Sequence, residues 1–312
     1  MLLLENIHPA LLNAIERMIS GDNVVPHCAV RDFDGTEYLV AVESAEPPST
    51  NDELDEKRQA FKISVSVKHS VPFSALNHHS NFADVVSSFF PRTCTLAFPP
   101  SSPHCVQLTV PVGLQGPQRD EILSLAAQLR AMCYVPLFRK QFELFLAKPE
   151  SMPSVRIPYH ANESIFLYSC KGNFMCVISL ALEGRDEQVF IRNFLQTFVD
   201  AKRLQKEIAG APAFFFTQGK PPADLPSSLG GCLPEENAFY CGFQLFKLQM
   251  EKEVNAVATV RQLVNFRNTL MYHIHCCRSY MHALMRKRVA SAMLVIKRAK
   301  TTTTGRARVT IK

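Results

Sequence analysis

The stretch EKEVNAVATVRQLVNFRNTLMYHIHCCRSYMHALMRKRVASAMLVIKRAK, Glu251 to Lys300, holds neither glycine nor proline, and the whole interval between Gly242 and Gly305 is free of both. Good helix formers dominate it, so it predicts one helix over 251–300, about 75 Å long. A helix of that length outruns a small domain. On a helical wheel Val260, Leu263, Leu270, Ile274, Cys277, Met281, Met285 and Ala292 fall within roughly 60° of one direction, the stripe of a partner-facing seam. Arg267 falls near the stripe and interrupts it. A domain of this size covers about half of such a helix, so the remaining apolar stripe calls for another chain. The expectation is an obligate partner.

The centre of the stretch, Tyr272 to Arg288, crowds three histidines and two cysteines among basic residues. Successive helical residues point about 100° apart, so Cys276 and Cys277 diverge and His273 and His275 face nearly opposite ways. Only a pair such as His273 and Cys277 shares a face, and two ligands do not close the tetrahedral shell of a structural zinc. No metal site is predicted. The same basic residues lack the aromatic interleaving of base-stacking modules, and the helix is heavily apolar, which disfavours nucleic acid.

The chain has 312 residues, 47% of them hydrophobic, enough for about two domains. Its net charge of +6 hides an asymmetry: residues 251–312 carry 13 Lys/Arg against 2 Asp/Glu, leaving 21 against 26 for everything before them. A basic end of this kind faces an acidic partner. The ten cysteines are scattered, include an adjacent pair and follow no secretory signal, so they read as reduced. The leading MLLLENIHP is far short of a signal peptide's apolar region, and no run approaches the roughly 18 apolar residues of a membrane span. The chain reads as cytosolic, without a membrane span.

Working back from the long helix, the rest alternates between two periodicities. HPALLNAIERMI has helical spacing, with Pro9 placed to start it. Strand-like runs follow around VVPHCAVRDF, TEYLVAVE and FKISVSV, where Phe61, Ile63, Val65 and Val67 alternate. Between the last two lies an acidic, proline-containing loop, Ser44 to Ala60. A short helix (NFADVVSSFF), two strands (TCTLAF, HCVQLTV) and a helical stretch from Pro117 complete a first set; Pro136 is expected to kink that stretch. From Val155 the order returns: three strands, the helix EQVFIRNFLQTFVDAKRLQKEI, two strands and the long helix. Counting the middle helix for both halves, each reads helix, three strands, helix, two strands, helix. The predicted class is α+β: two similar α/β domains, 1–117 and 118–312, each a mostly antiparallel sheet flanked by helices, with the long helix and a basic tail at the end.

Asp32-Phe33-Asp34-Gly35-Thr36 spells the D-x-D-G-T nucleophile loop of haloacid-dehalogenase-type phosphatases, where one carboxylate attacks phosphate and the other serves as acid/base. That chemistry also needs a parallel sheet, a later lysine and an acidic pair for magnesium. Here the motif runs at once into another strand, EYLVAV, the arrangement of a hairpin in which Asp-Gly supplies the turn. The hairpin is the favoured reading and the phosphatase the alternative, with a nucleic-acid-binding helix as a second alternative. No P-loop, G-x-G-x-x-G, H-E-x-x-H or C-x-x-C motif occurs. Neither a catalytic residue nor a cofactor is assigned.

The stretch FRNTLMYHIHCCRSYMHALMRKR, with VIKRAK beyond it, resembles the C-terminal helix of the 34 kDa accessory-subunit family of the actin-related protein 2/3 complex. The residues that carry the likeness are Phe266, Arg267, Tyr272, His273, Ile274, Cys276, Arg278, Tyr280, His282, Met285 and Arg286. RDFDGTEYLV, KISVSV, FLQTFVDAKR and the short leading leucine run fit in order. The loop at 44–60 is longer than the family pattern, and Leu284 stands where a basic residue is expected. The resemblance implies a non-enzymatic scaffold without cofactor, ATP belonging to the actin-related subunits. It implies that the long helix pairs with the fourth accessory subunit in a seven-subunit assembly that includes the two actin-related proteins. It further implies contact with the side of an actin filament, filament nucleation and branching, and a place in the cytoplasm on the actin cytoskeleton. Arg261, Arg286 and Lys297, on the far side of the wheel from the seam, are the candidate filament contacts.

Overall fold

A computed structural model describes residues 9–20, 27–44, 61–69, 82–99, 105–111, 116–204 and 210–305. Past Ser44 the loop read at 44–60 lies outside the described residues, as do the leading leucines and the tail after residue 305.

Helix α1 (Pro9–Ser20) begins at its proline, and Leu11, Ile15 and Met18 bury its apolar face at helical spacing. Strands β1 (His27–Arg31), β2 (Glu37–Ser44), β3 (Phe61–Lys68), β4 (Thr95–Ala97) and β5 (Cys105–Pro111) form an antiparallel sheet in the order β1-β2-β3-β5-β4. The alternation in β3 sets its register. Ile63, Val65 and Val67 have no exposed surface and lie opposite Val110, Leu108 and Val106 of β5. Tyr38 and Val40 of β2 extend that apolar layer, whereas Leu39 on the other face is 42% exposed. Fully burying each such side chain stabilises by roughly 1.5–3 kcal/mol, and a one-residue slip would turn all of them to water. The short helix α2 (Phe82–Ser87) connects the third strand to the fourth.

Three helices follow: α3 (Pro117–Ala127), α4 (Leu129–Met132) and α5 (Val135–Ala147). The expected kink at Pro136 is instead a fresh start. The chain breaks at Gln128 and again at Cys133–Tyr134, and Pro136 occupies the first turn of α5, where its missing N–H costs nothing. Val135, Phe138, Phe142 and Phe145 then bury one face of α5, and Phe142 and Phe145 meet Phe174 edge-on.

The second sheet contains β6 (Val155–His160), β7 (Glu163–Cys170), β8 (Asn173–Ala181), β9 (Ala213–Gln218) and β10 (Ala238–Leu245), ordered β6-β7-β8-β10-β9. With α6 (Arg185–Leu204) between the third and fourth strands, it repeats the pairing order of the first sheet. The duplicated element order read from the sequence is thus also a duplicated topology. Unlike β3, strand β7 buries Ile165, Phe166, Leu167 and Tyr168 in succession, because both faces of this sheet are covered. Phe166, Tyr168, Val177 and Tyr240 pack with Leu225, Leu229 and Leu233 of the loop before β10. Phe198 of α6, Phe214, Phe243 and Phe266 form an aromatic cluster elsewhere.

Helix α7 (Glu253–Gly305) is one continuous helix of 53 residues, slightly longer than the expected 251–300. Packing groups the described residues up to Thr269, with both sheets, into one compact unit and those from Leu270 onward into another.

Candidate functional site

The D-x-D-G-T motif is the loop of the β1–β2 hairpin. Arg31 lies opposite Glu37, the Asp32 amide donates to the Thr36 carbonyl at 2.9 Å, and the Gly35 amide donates to the Asp32 carbonyl at 3.1 Å. Gly35 takes a φ of 74°, a conformation glycine adopts without strain. Asp34 has no exposed surface; its Oδ1 accepts from the Thr36 amide at 2.9 Å and its Oδ2 lies 2.5 Å from Arg130 Nη2. Burial alone would raise the pKa of this carboxyl, but Arg130 foremost, then His69 and Thr36, outweigh it and hold it at about 2. Arg130 is itself 1% exposed, and the same carboxylate keeps it charged although burial opposes charge. In the phosphatase loop the second aspartate is the acid/base, and Asp34, sealed against a guanidinium, cannot pass a proton to or from a phosphate ester; the motif also joins two antiparallel strands where that chemistry needs a parallel sheet, which removes the basis of the phosphatase alternative.

The neighbouring residues are tied from the other side. Asn268 Nδ2 donates to Asp32 Oδ2 at 2.7 Å, and Arg267 donates twice, from Nη1 to the Phe33 carbonyl at 2.9 Å and from Nε to Glu163 Oε2 at 2.5 Å. Glu163 Oε1 accepts from the Ala181 amide at 2.9 Å, and Tyr159 donates to the Val264 carbonyl. One hairpin loop from the first half, two strands of the second sheet and the start of α7 therefore share a single polar joint. Arg267, which interrupts the helical stripe, is buried because its partner is Glu163. None of Arg130, Glu163 or Asn268 was assigned a role from the sequence. The available signal was Arg130 standing alone in the apolar run LAAQLRAMCYVPLF, since a buried guanidinium demands an anion.

Along α7 the predicted seam divides. Val260, Leu263, Leu270 and Ile274 are buried in the chain by itself, so these four are not free to meet a partner. Cys277, Met281, Met285 and Ala292 are exposed, as is every residue from 276 to 299. Leu284, Val289, Val295 and Ile296, absent from the predicted seam, flank the exposed part and are 37%, 63%, 65% and 49% exposed. The far side divides as well: Arg286 and Lys297 are exposed, but Arg261 is half-buried, and burial pulls its pKa down. That places Arg261 apart from the other two, against the wheel's grouping. Among the described residues no three His, Cys, Asp or Glu side chains gather as a metal site, and no helix is long and apolar enough to cross a membrane.

What remains as a site is the uncovered length of α7, an apolar stripe backed by cations. The family described as "Arp2/3 complex, 34 kD subunit p34-Arc" matches residues 65–303, a span that takes in the second sheet and nearly all of α7 and starts after the hairpin loop at 32–36. The chain is 27% identical over 300 residues to the actin-related protein 2/3 complex subunit 2 of Dictyostelium discoideum, covering 96% of this chain and 94% of that protein. It is 32% identical over 176 residues to the protein of the same name from Schizosaccharomyces pombe, covering 52% of this chain and 55% of that one. With a family match across most of its length and a relative aligned almost end to end, the chain belongs to the p34-Arc family, that of the 34 kD subunit of the Arp2/3 complex.

Proposed function

We infer that the chain works as a structural, non-enzymatic subunit of an Arp2/3 complex in the cytoplasmic actin cytoskeleton, and that the exposed part of α7 is its assembly surface. The observation that carries this reading is the run of exposed apolar side chains, Met281, Leu284, Met285, Val289 and Ile296, on a helix with no neighbour over that length among the described residues. Contiguous apolar surface of this kind marks a protein interface. Knobs-into-holes pairing with a helix of another subunit, the fourth accessory subunit first, covers it.

The repeated topology, which the sequence divides at 117/118, packs with both sheets in one compact unit, a single body suited to such a scaffold. A template that holds two actin-related proteins in place speeds nucleation by removing the entropy cost of bringing them together, with no bond chemistry of its own. Arg286 and Lys297, exposed on the other side of α7, are suited to the acidic side of an actin filament.

Affinity purification of the tagged chain from cells tests the assembly reading. Stoichiometric recovery of the two actin-related proteins and the fourth accessory subunit is expected. Recovery of the chain as a monodisperse monomer would refute it.

A further inference from the structure

We propose that the groove between α5 and the first turns of α7 docks a segment of another protein that presents one apolar side chain beside a lysine or arginine. The groove encloses about 190 Å³. Its floor is apolar, built from Val135, Phe142, Val257 and Val260, with Leu146 on its flank 36% exposed. Its rim is ionic. Three carboxylates, Glu143, Glu251 and Glu253, line it together with one guanidinium, Arg139.

The volume selects the class of occupant. Small-molecule sites run from about 300 Å³ upward, so this groove is undersized for a metabolite and suited to a single anchoring side chain, as at interface hot spots. Charge selects the neighbour of that anchor. Arg139 reaches Glu143 Oε1 at 3.2 Å and Glu253 Oε1 at 2.9 Å, so both are already engaged, while Glu251 makes no ion pair among the described residues. The rim is thus net negative over a greasy floor, complementary to a cation set next to an apolar group. The Arg139 bridge also straps α5 to α7 from within the chain, so the fold itself holds the walls of the groove and little ordering is lost on docking. A metal is a poor rival here, because Arg139 occupies two of the three carboxylates.

The test is site-specific photo-crosslinking in the complex purified from cells. Benzoylphenylalanine replaces Leu146 in one variant and Val257 in another, with Val189, 61% exposed and remote in sequence, as control. Crosslinked peptides are sequenced by mass spectrometry. The proposal expects both groove positions to capture one segment of a different protein, at an apolar residue with a lysine or arginine within two positions. Glu251→Lys should cut that yield about fivefold or more, and Glu183→Lys should not. Leu146 is a surface position, so its result stands even where the Val257 variant folds badly. The proposal is overturned by yields no higher than at Val189, by capture of a second copy of this chain or of its own residues 306–312, by an acidic or wholly polar segment, or by a yield indifferent to Glu251→Lys.

Discussion

Arg130 Nη2 and Asp34 Oδ2 meet at 2.5 Å with both side chains shut away from solvent, so the first hairpin of the chain is held by the helical stretch that leads into the second sheet. The same guanidinium lies over the Tyr159 ring of β6, 5.1 Å from its centroid. The two copies of the repeated topology are thereby joined through one side chain, and Arg267 makes a second tie to the same loop.

Breaking that pair from one side is expected to be severe. Arg130→Met leaves a buried carboxylate without its cation, a change that costs on the order of 3–5 kcal/mol. The double change Arg130→Met with Asp34→Leu removes both charges and should recover much of the loss. Urea denaturation of the two variants and the parent measures this. Equal destabilisation in both would show that packing around Arg130, and not the charge pair, matters.

The pair also fixes a direction for acid sensitivity. Asp34 is held at about 2 in the folded chain against a usual value of 3.8, so the unfolded chain takes up its proton first as pH falls. A depressed carboxyl stabilises above its unfolded pKa, and that contribution drains away between about pH 4 and pH 2. Asp34→Asn should therefore be less stable than the parent near neutrality, with the gap narrowing across that window. Stability measured from pH 7 to pH 2 checks it, and a gap that widens toward acid contradicts the assignment.

Two glycines should respond differently to alanine. At Gly242 a Cβ would fall 2.0 Å from Phe215 Cζ, whose ring packs with the core cluster of the second sheet, so Gly242→Ala forces that ring aside. Overpacking of this sort costs about 1–3 kcal/mol, and Phe215→Leu in the same chain should relieve part of it. At Gly35 the nearest atom to a Cβ, His160 Nε2, is 4.0 Å away, so the penalty comes from the positive φ alone, about 1 kcal/mol. No companion substitution should rescue it. Thermal melts of the three variants distinguish a steric from a conformational cause.

Local chemistry was open to inspection in the sequence wherever it acts over a few residues. Ile63, Val65 and Val67 announce a half-buried strand by alternation, and Asp34-Gly35 announces a turn. In β7 four consecutive buried apolar residues, Ile165 to Tyr168, carry no such alternation, because the covering on its second face comes from a loop some sixty residues later. Arg267 appeared only as a flaw in the stripe. Its partner Glu163 is 104 residues earlier, a distance at which no periodicity operates. The wheel likewise grouped Val260 with Met281 because an angle is all it measures; what lies against each turn of the helix is a property of the tertiary structure.

The faces of α7 give the final prediction. Ile274 is 2% exposed, so Ile274→Asp places a carboxylate where no water reaches it and should destabilise the chain before any question of assembly arises. Met281 and Met285, 43% and 58% exposed, are different: changing both to Asp should leave the chain's own melt nearly unchanged yet prevent recovery of the complex, since the charges become costly only when a partner covers them. Arg286→Glu with Lys297→Glu alters the opposite side and should leave the complex intact while weakening its sedimentation with actin filaments. Each exposed charge contributes at most about 1 kcal/mol, so both are changed together, and the defect should fade as salt shortens the screening length. Gel filtration reports assembly, and co-sedimentation across a salt series reports filament binding. An intact complex from the double methionine variant would remove this stretch from the assembly surface. Unchanged filament binding in the charge-reversed variant would leave Arg286 and Lys297 as a solvated face.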